Sequence, residues 1–179
     1  TEGYCLRRDP GNALLREMSD LGTQFRVLRC LEPTAVAAPR GFFYEDDPAV
    51  LDAPFLVMEK VPGVCPSPWG RDGRRFYEDA AARGELPRAF TDALVTLHTL
   101  DWEEAGLGFL GVPEPGTRFA LGEVAKWKRL IESTAAEPDP ILVDLIGWLE
   151  ANAPATDRRA LVRARYRTGN FLCHEDRVS

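Results

Sequence analysis

Cysteine is scarce in this chain, and its four copies, Cys5, Cys30, Cys65 and Cys173, are scattered without paired spacing. That pattern argues against a zinc site and a disulfide framework and leaves buried free thiols as the expectation. Nowhere do about 18 apolar residues run together, so no membrane-spanning helix is expected. No charged-then-apolar leader opens the chain, and a cytoplasmic protein is expected. Positive charge is in deficit as well. The net charge is -6 and the sequence pI about 5.0, which argues against broad electrostatic binding to nucleic acid or to anionic membranes. Internal repeats and low-complexity tracts are also missing.

What is present suits a soluble globular protein: 179 residues, 45% of them hydrophobic and 28% charged, enough to bury a core. Tyr4-Cys5-Leu6-Arg7-Arg8 has the makeup of a strand ending at the Asp9-Pro10-Gly11-Asn12 turn. Leu14, Leu15, Met18, Leu21, Phe25, Leu28 and Leu31 recur at spacings of three and four, which predicts a helix over 13–31 capped by Asn12, with a break at Gly22-Thr23. A strand is expected within 36–44, a turn or short loop at Asp46-Asp47-Pro48, and a strand through Phe55-Leu56-Val57-Met58-Glu59 into the Pro62-Gly63 breaker. Beyond a stretch rich in proline and glycine, helices are predicted at 87–100, 119–134 and 138–152, with a loop at 101–118. Phe171 to Ser179 then forms a strand, a polar turn and the start of a second strand.

Arginine is concentrated near the end: Arg158, Arg159, Arg163, Arg165 and Arg167 form either a cradle for a polyanion such as a nucleotide or a solvated basic edge. Around them, Leu161-Val162-Arg163-Ala164-Arg165-Tyr166-Arg167-Thr168-Gly169-Asn170-Phe171-Leu172 resembles the catalytic loop of the aminoglycoside phosphotransferase family, which typically reads L-V-H-G-D-Y-R-x-G-N-F-L. Leu97-His98-Thr99-Leu100-Asp101-Trp102, followed by Gly106-Leu107-Gly108-Phe109-Leu110-Gly111, resembles the family's bacterial branch, which includes domains fused to acyl-CoA dehydrogenases. The resemblance extends over nearly the whole chain. It implies an α+β fold of the protein-kinase-like two-lobe kind, in part. Residues 1–62 would be a sheet-rich N-lobe remnant ending at a hinge, and 63–179 a helical C-lobe up to the catalytic-loop hairpin.

The resemblance also assigns roles. Met58 would be the gatekeeper behind the adenine of ATP, Glu59 would offer its carbonyl and Val61 its N–H. Arg7 would reach the nucleotide phosphates, while its neighbour Arg8 points to the other strand face. In the family a helix glutamate pairs with that cation. Gln24 stands at the matching place, with Glu17 as a possible substitute. Arg167 would touch the transferring phosphate, and Asn170 would ligate magnesium through its amide oxygen. The family's proton-accepting aspartate is replaced by Arg165, which has no acceptor and stays protonated. Each residue also has a plain structural reading: Gly169-Asn170 as a turn, Arg167 as a surface arginine, His98 as a satisfied structural histidine.

Three functions follow. The first is ATP-dependent transfer of the γ-phosphate to a small-molecule hydroxyl, by a chain expected to be an internal fragment, because it begins at Thr1 and because the glycine-rich strands and second metal aspartate would lie outside it. The second is a pseudokinase that binds nucleotide or a partner protein without catalysis. The third is an unrelated α+β interaction domain. Substrate and oligomeric state are not legible in the residues.

Overall fold

A computed structural model describes residues 3–9, 11, 20–65, 67, 69–134, 137, 139–163, 165–174 and 177–178, with Glu85, Thr168, Arg177 and Val178 described by backbone alone. The expected Asn12 cap, the apolar positions 14, 15 and 18, and Glu17 lie outside these residues. The chain divides into two compact units, Thr1–Leu107 with Ala160–Ser179, and Gly108–Arg159.

The first unit opens with a three-stranded antiparallel sheet in the order β1-β3-β2, from β1 (Tyr4–Arg8), β2 (Gly41–Glu45) and β3 (Phe55–Glu59). The register sets Cys5 opposite Met58, Arg7 opposite Leu56 and Gly41 opposite Met58, so these residues share one face of the sheet. Helix α1 (Leu21–Leu31) packs on that face: a Cβ at Gly41 would meet the Phe25 ring at 3.0 Å, and Phe25 stacks on Tyr44 with centroids 6.2 Å apart. Leu56, in the middle strand, is 1% exposed.

Close to the break expected at Gly22-Thr23, α1 starts at Leu21, with Asp20 as its cap. Asp20 accepts hydrogen bonds from the N–H groups of Gly22 and Thr23, both at 3.1 Å, satisfying donors that a first helical turn leaves unpaired. The Thr23 hydroxyl holds the Asp20 carboxyl below its ordinary pKa against the opposing effect of burial, with the two N–H donors adding to the lowering. Asp20→Ala is expected to cost about 1 kcal/mol in urea unfolding. Because the folded-state pKa is depressed, the carboxylate's contribution is complete above about pH 4 and fades as pH falls through the folded value.

Asp46-Asp47-Pro48 opens a short helix rather than a plain turn. Asp47 caps α2 (Pro48–Leu51), accepting from Ala49 N–H at 2.8 Å, with Pro48 in the first turn. After β3 come α3 (Arg71–Arg83) and α4 (Glu85–Thr99), which pack together and are joined at Gly84, whose φ of 76° allows the reversal. α3 had no counterpart among the individually predicted helices. The unit's core gathers Ala80 and Leu86 from this pair with Phe171 and Cys173 from the chain end. That end forms a hairpin of β4 (Cys173–His174) and β5 (Arg177–Val178).

The second unit holds α5 (Arg118–Thr134) and α6 (Pro140–Ala151), packed on each other, and a bridge between Gly116 and Thr156. Among the described residues no helix is long and apolar enough to cross a membrane. Two expectations are corrected. Of the four free cysteines only Cys173 is buried, since Cys5 lies on the exposed β1 and Cys65 on a surface segment. His98 is not fully satisfied: its Nε2 is buried with no hydrogen-bond partner among the described residues, because the apolar side of α4 brings it no acceptor.

Candidate functional site

The end of β3 is tied on both sides. Glu59 N–H donates to Arg40 O at 2.8 Å, and the Glu59 carboxylate accepts from Arg40 N–H at 3.1 Å. Lys60 N–H reaches Gly3 O at 3.4 Å. One residue on, Val61 N–H has no hydrogen-bond partner among the described residues. Met58 is half-buried on the face that carries Leu56 and Arg7.

The next segment crosses to the far end of the chain. Val64 N–H donates to Cys173 O at 3.0 Å and Cys173 N–H returns to Val64 O at 2.8 Å. The Cys65 thiol donates to Gly169 O at 3.2 Å, joining residues 104 apart in sequence. Gly63 permits this approach. Its φ is 141°, and a Cβ there would sit 3.1 Å from both Cys173 O and Leu172 Cβ. Gly63→Ala is therefore expected to cost about 1–3 kcal/mol in urea unfolding, from a backbone region other residues avoid. A change below a few tenths would show that the crossing is loose.

The residues that resemble a catalytic loop close around Asn170. Asn170 Nδ2 donates to Arg165 O at 2.8 Å, Asn170 N–H donates to Arg167 O at 2.9 Å, and Arg163 Nη2 donates to Asn170 O at 2.7 Å. The first bond fixes which way the amide faces: with Nδ2 committed to a carbonyl, Oδ1 is the atom left to accept or ligate. Arg163 also lies over the Phe171 ring, Cζ 4.3 Å from the centroid, a cation–π contact. Burial lowers the Arg163 pKa, with Tyr166 opposing, yet an arginine remains protonated at neutral pH. Tyr166 donates its hydroxyl to Phe90 O, and the rings of Phe90, Tyr166 and Phe171 stand within 4.3 to 4.7 Å of one another, centroid to centroid. Burial raises the Tyr166 pKa, partly offset by Arg163, and raises that of Cys173, to which the Cys65 thiol adds.

The fold thus brings the segment after Met58-Glu59-Val61 onto the loop that holds Arg165, Arg167 and Asn170. It does not bring every residue into contact. Arg7 is exposed on β1, and its side chain makes no hydrogen bond or ion pair among the described residues, with Gln24 included. Arg8 is exposed and donates from Nε to Leu51 O at 2.8 Å. The arginine cluster is divided: Arg158 and Arg159 fall in the second unit, where Arg159 Nε donates to Pro113 O at 2.9 Å. Two cavities near the hairpin, of about 340 and 420 Å³, are lined mainly by apolar residues such as Phe90, Phe171, Phe76 and Leu86, and not by Met58, Glu59, Val61 or Asn170. Sequence reasoning missed Arg163 as a partner of Asn170 and Phe171, and Cys65 as the tie to Gly169. The first left a trace in the aromatic residue eight positions on; the second left none.

The model of the phosphotransferase enzyme family matches residues 1–179, the whole chain. The Arabidopsis thaliana protein named "Probable acyl-CoA dehydrogenase IBR3" is 31% identical over 98% of this chain and 22% of its own length. Acyl-CoA dehydrogenase family member 11 is 24% identical in Rattus norvegicus, over 97% of this chain and 22% of the relative, and 25% identical in Homo sapiens, over 96% and 21%. The chain thus spans about a fifth of the length of these relatives. A crystal structure from Ralstonia eutropha JMP134, provisionally described as an aminoglycoside phosphotransferase, superposes with a TM-score of 0.69 at 24% identity, covering 98% of this chain and 50% of that one. The small antiparallel sheet followed by helices is accordingly part of a kinase-like phosphotransferase fold.

Proposed function

The chain belongs to the phosphotransferase enzyme family, and from that premise we propose that it binds ATP between the end of β3 and the loop around Asn170, within a fold whose reaction is transfer of the γ-phosphate to a small-molecule hydroxyl. In this reading Met58 backs the adenine, the Glu59 carbonyl and the Val61 N–H, unpaired among the described residues, meet its edge, and Arg7 and Arg167 meet the phosphates. The lobe boundary falls between residues 62 and 63, and the location is cytoplasmic. The observation that carries the proposal is the Asn170 Nδ2 bond to Arg165 O, 2.8 Å. It leaves the amide oxygen as the atom available to a ligand, on a loop that is tied to the segment following Val61.

The family generally uses ATP with magnesium, which neutralises charge on the phosphates when bound. Asn170 Oδ1 offers it one neutral ligand. Among the described residues no group of three or more His, Cys, Asp or Glu side chains stands where it could hold a metal ion.

A second reading, nucleotide binding without catalysis, is favoured by one specific residue. Arg165 stands where a carboxylate would take the hydroxyl proton, and a guanidinium cannot do so. Both readings require nucleotide binding. Thermal unfolding with increasing ATP, and with adenosine, tests it: the midpoint should rise with ligand concentration over its dissociation constant. No rise with either ligand would remove both readings.

A further inference from the structure

Three arginines meet Asn170, and the loop consumes the side chain of only one. Arg163 spends its guanidinium on Asn170 O and the Phe171 ring. Arg165 and Arg167 meet Asn170 through their backbone carbonyls instead. Both residues are exposed, and among the described residues their guanidinium groups have no hydrogen bond or ion pair. Two backbone positions tied to Asn170 therefore carry two cations with no partner among the described residues, each with five N–H donors in a planar fork suited to phosphate oxygens.

We infer that this loop holds the phosphates of a nucleotide directly on Arg165 and Arg167 and needs no divalent cation to do so; the inference rests on the nucleotide-binding reading above. The electrostatics run in one direction. Magnesium favours several oxygen ligands and at least one carboxylate, whereas the described loop residues supply one neutral amide oxygen and two exposed like charges. A polyphosphate is attracted by the same two charges that repel the metal. Arg163 cannot substitute for either of them, since moving its head would strip Asn170 O of its donor and Phe171 of its cation.

Calorimetric titration of the chain tests this, using ATP in EDTA, ATP with excess magnesium, inorganic tripolyphosphate, and adenosine. ATP is expected to bind in EDTA at least as tightly as with magnesium. Arg165→Ala should weaken the EDTA binding by about ten- to a hundredfold, the range for a hydrogen bond to a charged group. Adenosine binding should not change. Arg165→Lys, which keeps the charge but not the fork, should fall between. Arg165→Asp should reverse the metal response, making magnesium improve ATP binding by about tenfold or more. Far-UV circular dichroism of each variant guards against misfolding, and the exposed position of Arg165 makes unfolding unexpected. ATP binding to the unmodified chain only when magnesium is present would overturn the inference and leave the nucleotide reading intact. Tripolyphosphate binding as tightly as ATP, with no adenosine binding, would overturn it as well, replacing a nucleotide site with a bare anion site. Binding of neither ATP nor adenosine under any condition would remove the nucleotide reading and this inference together.

Discussion

Phe171→Ala should lower the stability of the first unit by about 3–5 kcal/mol, the range for removing a buried phenyl group and leaving part of its volume empty. Phe171 is 4% exposed and belongs to the core cluster with Ala80, Leu86 and Cys173. Its ring lies edge-on to Phe90 and Tyr166, at 4.7 and 4.6 Å between centroids, and carries the Arg163 guanidinium at 4.3 Å. Each of those contacts adds something beyond buried area. The site should suffer along with the fold, because Phe171 follows Asn170 directly and anchors the arginine that bonds its carbonyl. Urea unfolding with an unchanged slope and a lowered midpoint is the expected signature. Phe171→Leu should cost much less, since it retains most of the volume. A loss below about 1 kcal/mol for the alanine variant would mean that the three rings do not form a packed cluster.

Restoring a carboxylate at position 165 should have a comparable effect on reaction rate. The variant Arg163→His, Ala164→Gly, Arg165→Asp is expected to transfer phosphate from ATP faster than the unmodified sequence by about 10²–10⁴-fold, the usual contribution of a positioned proton acceptor. Asn170 Nδ2 bonds the carbonyl of residue 165, not its side chain, so the change at 165 leaves that bond in place, while Arg163→His gives up the Arg163 bond to Asn170 O. Arg165→Ala separates two causes. If it raises the rate as much as the aspartate does, removal of a repulsive charge is the source of the gain; if it does not, proton acceptance is. An equal, unmeasurable rate in all three proteins would favour the reading without catalysis. Radiolabel transfer to a panel of small hydroxyl compounds is the measurement.

Much of this was legible in the residues, for physical reasons that differ by element. β3 is a continuous apolar run closed by Pro62-Gly63, and α6 is an apolar helix begun by Asp139-Pro140 and stopped near Pro154; both signals survive without knowing the fold. α3 went unrecognised because Arg71–Arg83 is mostly charged, and only Phe76, Tyr77 and Ala80 mark its inner side. The break near Gly22-Thr23 was legible because both are poor helix formers in isolation, but the cap on Asp20 that makes them first-turn residues was not. The catalytic-loop spacing was readable and singled out Asn170. What Arg163 touches was not, since a row of arginines reads as charge until the fold places an aromatic ring beneath one of them. The cysteines show the same limit from the other side: composition predicts burial, and the segment on which each cysteine falls decides it.

The central claim is that the end of β3 and the loop around Asn170, joined through Val64, Cys65, Gly169 and Cys173, serve one nucleotide. Titration of ATP into the isotopically labelled chain, followed through backbone amide resonances, tests it most directly. The amides of Lys60 and Val61 should shift together with those of Arg167 and Asn170, saturating at one common concentration. Shifts confined to the arginine loop, with Lys60 and Val61 unmoved, would contradict the account, because they would show an anion resting on free guanidinium groups with no adenine held at the strand end.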